Sequence, residues 1–153
     1  MSIIDKYEKA TVDLLNLDGW VLEWCGKDNT FYDAKGVTPK GNPCVIEMKF
    51  RNKYYKTKLL EKKKYENLMN MPEEVVKIYF VNDPKGNYMY WLNNLVMPEG
   101  EELMCPKTTM WDNTKVNKET FMLTEKQASV INWYEVEPVK FGVWDNYFKG
   151  KEK

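Results

Sequence analysis

The stretch that most restricts the fold is FYDAKGVTPKGNPCVIEMKFR, residues 31 to 51. Two apolar runs flank a loop rich in Gly, Pro and Asn, which is the pattern of a β-hairpin. In the second run, PCVIEMKF (43 to 50), Val45, Glu47 and Lys49 leave one face, while Cys44, Ile46, Met48 and Phe50 leave the other. The first run, TFYDA (30 to 34), carries Asp33. The hairpin therefore brings two carboxylates and an ammonium to one patch. Two carboxylates at close range repel unless a proton or cation lies between them, and a divalent ion removes that cost. The lysine can offset charge on an attacking hydroxide or on phosphoryl oxygens. A half-solvated hairpin with incidental charges is the other reading of the same letters.

The spacing acid-x-Lys carries little weight alone, because it occurs four times: at Asp33, Glu47, Glu61 and Asp83. Composition narrows the chemistry more. The chain has no histidine, which excludes Ser-His-Asp and Cys-His hydrolases, His-ligated zinc proteases and His-dependent nucleases. Hydrolysis is left to carboxylates with a hard metal, supported by Lys or Tyr. Cys25, Cys44 and Cys105 are an odd number without close pairing, so neither a disulfide framework nor a zinc ribbon is expected. No apolar run is long enough for a signal segment or a bilayer span, and the expectation is an intracellular, cytoplasmic protein without membrane contact.

With 153 residues and no linker, repeat or low-complexity tract, one domain over 1–153 is expected. Ile3, Ile4, Tyr7, Thr11, Leu14 and Leu15 recur at helical spacing, with Glu8 at the margin of the stripe. WVLEWC (20 to 25), TFYDA and PCVIEMKF read as a three-strand meander, and KTKLLEKKKYENLMN (56 to 70) as a helix carrying Lys58, Lys62, Tyr65 and Met69 on one face. VVKIYFV and YMYWL flank the turn NDPKGN, and Thr124 with Gln127 marks a capping box for a late helix, EKQASVINWY. The order αβββαβ, followed by further elements, predicts an α/β fold with a mixed central sheet flanked by helices. Charge balances at 23 against 23, yet from Lys49 to Lys64 there are eight basic residues, Arg51, Lys53, Lys58 and Lys62 among them, against the single acid Glu61. Such a run serves phosphate binding or plain solvation, and Tyr54 and Tyr55 within it could stack on bases or pack.

Glu8 on the first helix, Asp33 ending a strand, Glu47-Met48-Lys49 in the next, and the basic segment with Lys58, Lys62 and Tyr65 resemble the PD-(D/E)XK nuclease superfamily, over roughly residues 3 to 82. Tyr32 stands where the motif has proline, and residues 95 to 153 form an extension without an assigned counterpart. The compact chain, rich in Lys, Tyr and Asn, is similar to small phage-encoded members, which would act in the host cytoplasm.

The resemblance implies a restriction-endonuclease-like core and metal-dependent hydrolysis of DNA, structure-specific in the manner of a junction resolvase. Mg²⁺, or Mn²⁺, would be held by Asp33, Glu47 and the Met48 carbonyl. Lys49 would stabilise the nucleophile, and Glu8 would support a second metal or position water. Arg51, Lys53, Tyr54, Lys58 and Lys62 would contact nucleic acid, and a homodimer follows by analogy with relatives that cut two strands. A catalytically silent fold that binds nucleic acid or a protein partner is the competing class.

Overall fold

A computed structural model describes residues 2–26, 31–106 and 115–131. Helix α1 spans Ile3–Leu17 and opens on a capping box: Ser2 Oγ accepts from the Asp5 amide (3.1 Å), and Asp5 accepts from the Ser2 amide (3.2 Å). Its buried side is Tyr7, Thr11, Val12, Leu14 and Leu15, together with Glu8. The helix is tied to strand β1 (Val21–Trp24) by the Asn16 side chain, which donates to the Leu22 carbonyl (3.1 Å) and accepts from its amide (2.8 Å).

The chain continues through β2 (Ala34–Val37), β3 (Pro43–Phe50), β4 (Lys58–Glu61), α2 (Lys62–Met69), β5 (Val76–Asp83), β6 (Gly86–Trp91), β7 (Glu101–Pro106), β8 (Lys115–Leu123) and β9 (Ser129–Ile131). Six strands form the central sheet in the order β1-β2-β3-β5-β6-β9. Only β3 and β5 pair in parallel within it, so the sheet is mixed as expected. Gly36 in β2 lets the neighbouring strand approach, since a Cβ there would lie 1.9 Å from the Val21 carbonyl oxygen.

The alternation of β3 divides the core in two. Cys44, Ile46 and Met48 pack under α1 with Leu15, Trp20 and Phe80; Val45 packs on the opposite face with Leu60, Leu68, Tyr79 and Phe121. That second face is covered by α2 and by a three-stranded antiparallel sheet, β4-β8-β7, which draws β7 and β8 from the extension. All three cysteines are buried and none is in a disulfide. No helix among the described residues is long and apolar enough to cross a membrane.

Three expected elements differ. The helix over 56 to 70 begins only at Lys62, because Lys58–Glu61 form β4 and pair residue for residue with Thr120–Leu123 of β8. Leu60, at 1 % exposure, enters the core with Phe121 and Leu123, and this distant pairing overrides the helical preference of a Lys- and Leu-rich segment. The strand at TFYDA starts later, at Ala34, with Asp33 just before it; residue 30 lies outside the described residues. The Thr124–Gln127 capping box forms, yet it opens a single 3₁₀ turn, Glu125–Gln127, that passes into β9. Residues 132 to 134 of the expected helix lie outside the described residues.

Candidate active site

Three elements bring acids together. Asp33 is fixed by its own backbone, its amide donating to the Ile46 carbonyl (2.8 Å) and its carbonyl accepting from the Cys25 amide (2.8 Å). Its carboxylate turns over the end of β2 and accepts the Met48 amide at 2.7 Å. In a strand the N–H and C=O of one residue leave the same edge, so the Met48 carbonyl is directed to the Asp33 side as well. The Glu47 side chain leaves the face of β3 opposite Met48, buried, and its Oε1 accepts from Lys64 Nζ of α2 at 3.2 Å. Glu8, at 8 % exposure, reaches in from α1 and accepts the Trp24 indole N–H at 2.9 Å.

These carboxyls act on one another. Burial, and then the charge of Asp33, pushes Glu47 up to about 7, with a smaller push from Glu8. Burial and Asp33 likewise raise Glu8 to about 7. Asp33 is itself raised by burial, against the pull of the Met48 amide, the Lys64 charge and a hydrogen bond with Glu47. Lys49 shares the Glu47 face, and burial followed by repulsion from Lys64 and Arg51 holds its ammonium below the ordinary lysine value. Lys64 goes the opposite way: burial lowers it, but Glu47, Glu61 and Asp33 outweigh that and hold the proton on.

The donor set fits a hard divalent cation. Asp33 and Glu47 supply two desolvated carboxylates whose repulsion a cation would relieve, and the Met48 carbonyl borders them. No three acid, His or Cys side chains among the described residues form a group that could hold one ion, so Glu8 stands beside the pair and does not complete a ready triad.

Between the unfolded pKa near 4.5 and the folded value of about 7, the folded state binds more protons at Glu8 and Glu47, so stability falls as pH rises through that window. Each shift is worth about 3 kcal/mol at most, less where the groups share repulsion. Without metal, the melting temperature should drop between pH 5 and pH 8, and millimolar Mg²⁺ should restore it at pH 8. A melting temperature that climbed over that range would contradict the assignment.

The basic residues separate into two groups. Lys58, expected on an exposed helix face, is 1 % exposed on β4, where its Nζ bonds Asp83 (2.6 Å), the Tyr55 carbonyl (2.6 Å) and Glu125 (3.3 Å). It has no surface to offer a phosphate, and that expectation is corrected. Lys62 forms an ion pair with Glu119 of β8 at 2.9 Å. Arg51 follows Lys49 at the end of β3, its amide donating to the Asn82 carbonyl (2.9 Å). Lys53, Tyr55 and Lys56 are exposed in the loop after β3. Tyr54 is half-buried there, donates to Glu125 at 2.9 Å, and lies with its ring between Lys58 (4.4 Å) and Lys85 (4.0 Å).

Lys64 is the site residue that the sequence reading missed. Leu68 is the buried anchor of α2, and Lys64 precedes it by four residues, so both lie on the sheet-facing side. A helix started at Lys62 with Leu68 as its anchor would have pointed to it.

Asp33 just before β2 and Glu47-x-Lys49 in β3 thus sit on a mixed α/β sheet under α1, a fold with a likeness among solved structures. Among solved structures, that of Archaeoglobus fulgidus Hjc, a Holliday junction resolvase from an archaeal hyperthermophile, superposes with a TM-score of 0.55. The match is 13 % identical in sequence and covers 86 % of this chain and 92 % of that one, a likeness of fold. No protein-family profile matches the sequence, and no curated protein matches it.

Proposed function

We propose that the chain is a Mg²⁺-dependent endodeoxyribonuclease of the PD-(D/E)XK type, structure-specific in the manner of a junction resolvase. The observation that carries this reading is the pair Asp33 and Glu47, both desolvated and raised, bordered by the Met48 backbone and facing two lysines. The fold shared with Hjc supports it. Asp33, Glu47 and the Met48 carbonyl would hold the metal, with Mn²⁺ as a substitute. The ion supplies Lewis acidity and a more acidic water.

The chain's own residues do the rest. Lys49 loses part of its hold on a proton through burial and the neighbouring cations, and lies beside Glu47, where it can stabilise a hydroxide nucleophile or a phosphoryl oxygen. Lys64 offsets the charge of Glu47 and, with its side chain partly exposed beside that carboxylate, could also meet a phosphate. Glu8 borders the acidic pair and can orient a water. Arg51, Lys53, Lys56 and Lys85 line the adjoining loops and can track the phosphate backbone.

The direct test incubates the protein with linear, nicked and four-way-junction DNA, with and without Mg²⁺. Cleavage that needs the metal and favours the junction is expected. Binding without cleavage on every substrate, and no divalent-ion binding by calorimetry, would instead make this a silent binding fold. Paired cuts across a junction imply a homodimer, which light scattering would register.

The lysines should divide by role. Lys49→Ala should lower turnover a hundredfold or so with little change in DNA affinity, a loss of about 3 kcal/mol in the transition state. Lys53→Ala combined with Lys85→Ala should weaken binding and reduce the salt dependence by roughly one contact per lysine, with turnover at saturating DNA unchanged. Matching kinetic profiles for the two sets would refute the division.

A further inference from the structure

Resting on the nuclease reading, we propose that Trp24 is a positioning residue for Glu8: its indole N–H fixes one carboxylate oxygen and leaves the other for the metal-bearing acidic centre. A carboxylate at the margin of an apolar helix face is costly to bury without a donor. Trp24 Nε1, which can only donate, meets Glu8 Oε1 at 2.9 Å, the one hydrogen bond the Glu8 side chain makes among the described residues. The second oxygen, Oε2, is left without a hydrogen-bond partner among those residues, while the charges of Asp33 and Lys64 act on the group from the site. A bond to an ionised acceptor is among the stronger ones available, enough to select one orientation of a carboxylate.

The ring that carries the donor is itself held. Trp24 faces α1 from β1 and packs against the core cluster of Tyr7 and Leu15. Lys9 Nζ lies 5.0 Å from the centre of the indole. Gly26, at φ +62°, passes so near that a Cβ there would lie 3.2 Å from the ring atoms Cη2 and Cζ3. Helix, strand and loop thus fix a donor whose target is a site acid. Packing alone would be served by phenylalanine; the N–H is what the geometry uses.

Trp24→Phe keeps a ring and deletes the donor, so it is compared with Glu8→Gln and the double variant. The expected result for Trp24→Phe is a five- to tenfold lower kcat, DNA affinity within about twofold of wild type, and a several-fold higher Mg²⁺ requirement. The double variant should be no slower than Glu8→Gln, since the two residues act as one unit. A readout apart from activity is the Trp24 indole N–H resonance, assigned by its loss in Trp24→Phe. It should move on Mg²⁺ addition without DNA in wild type and stay still in Glu8→Gln. A wild-type rate and metal requirement in Trp24→Phe would overturn the proposal and leave the nuclease reading standing. So would additive losses in the double variant accompanied by a lower melting temperature, the mark of a packing role. No cleavage by the wild type on any DNA would overturn both readings together.

Discussion

Glu47→Ala is expected to lower DNA cleavage by about three orders of magnitude, roughly 4 kcal/mol of barrier, while the protein still folds. Glu47 is the residue on which the proposed site converges: it shares a face with Lys49, accepts from Lys64 at 3.2 Å, and is raised to about 7 by burial first and then by the charge of Asp33. Its removal would take away one of the two proposed side-chain donors to a metal and leave Asp33 with the backbone alone. The folding cost is smaller. The Lys64 side chain is 43 % exposed, so water can solvate it once its partner is gone, and losing such a pair costs at most about 1 kcal/mol. Glu47→Gln separates the two effects further, since it keeps the volume and removes the charge. Without metal at pH 8 it should melt no lower than wild type, because a desolvated anion has gone. Circular dichroism and a junction-cleavage assay on both variants test this, and Glu47→Ala turning over within tenfold of wild type would remove Glu47 from the centre of the mechanism.

The parts of the site that were legible in the sequence are those set by local geometry. Strand β3 runs Pro43–Phe50, as its alternation predicts, because both its faces are covered and a one-residue slip would put Glu47 into the core beneath α1. Helix α1 follows from its stripe, and Glu8 at its margin is buried as that position implied. Asp33 was placed beside β3 although its own strand begins one residue later. What could not be read was set by distant pairing. The four residues of β4 gain their strand from Thr120–Leu123, some sixty positions away, and no local signal in KTKLLE announces it. With that strand in place of the helix's first turns, Lys58, expected beside Lys62 on a phosphate-binding face, is taken out of solvent, Lys62 pairs with Glu119, and Lys64 meets Glu47. The second sheet was hidden with it, since its central strand β8 pairs with β4 on one side and with β7 on the other.

Lys58→Met should cost about 3–5 kcal/mol of stability, because it breaks a buried ion pair and leaves its partner behind. Asp83 is 1 % exposed; its Oδ1 is occupied by the amides of Lys85 (2.8 Å) and Gly86 (3.1 Å), and its Oδ2 depends on Lys58 at 2.6 Å. The ammonium also lies near the rings of Tyr54 (4.4 Å) and Tyr88 (4.3 Å), and holds the Tyr55 carbonyl at 2.6 Å. Methionine fills much of the space but offers no charge or donor to Asp83 Oδ2, Glu125 or that carbonyl. A melting temperature lower by roughly 10 °C or more is the expected reading. Asp83→Asn added to Lys58→Met should recover part of the loss, because the orphaned charge is then gone and Asn can still accept from the two turn amides through its oxygen. Turnover at saturating DNA, measured well below the melting transition, should stay within a few-fold of wild type, since neither residue reaches the acidic pair. The opposite pattern, unchanged melting with a large loss of DNA affinity and a flatter salt dependence, would return Lys58 to the phosphate-binding surface and refute its role as the internal cation that joins β4 to the β5–β6 turn.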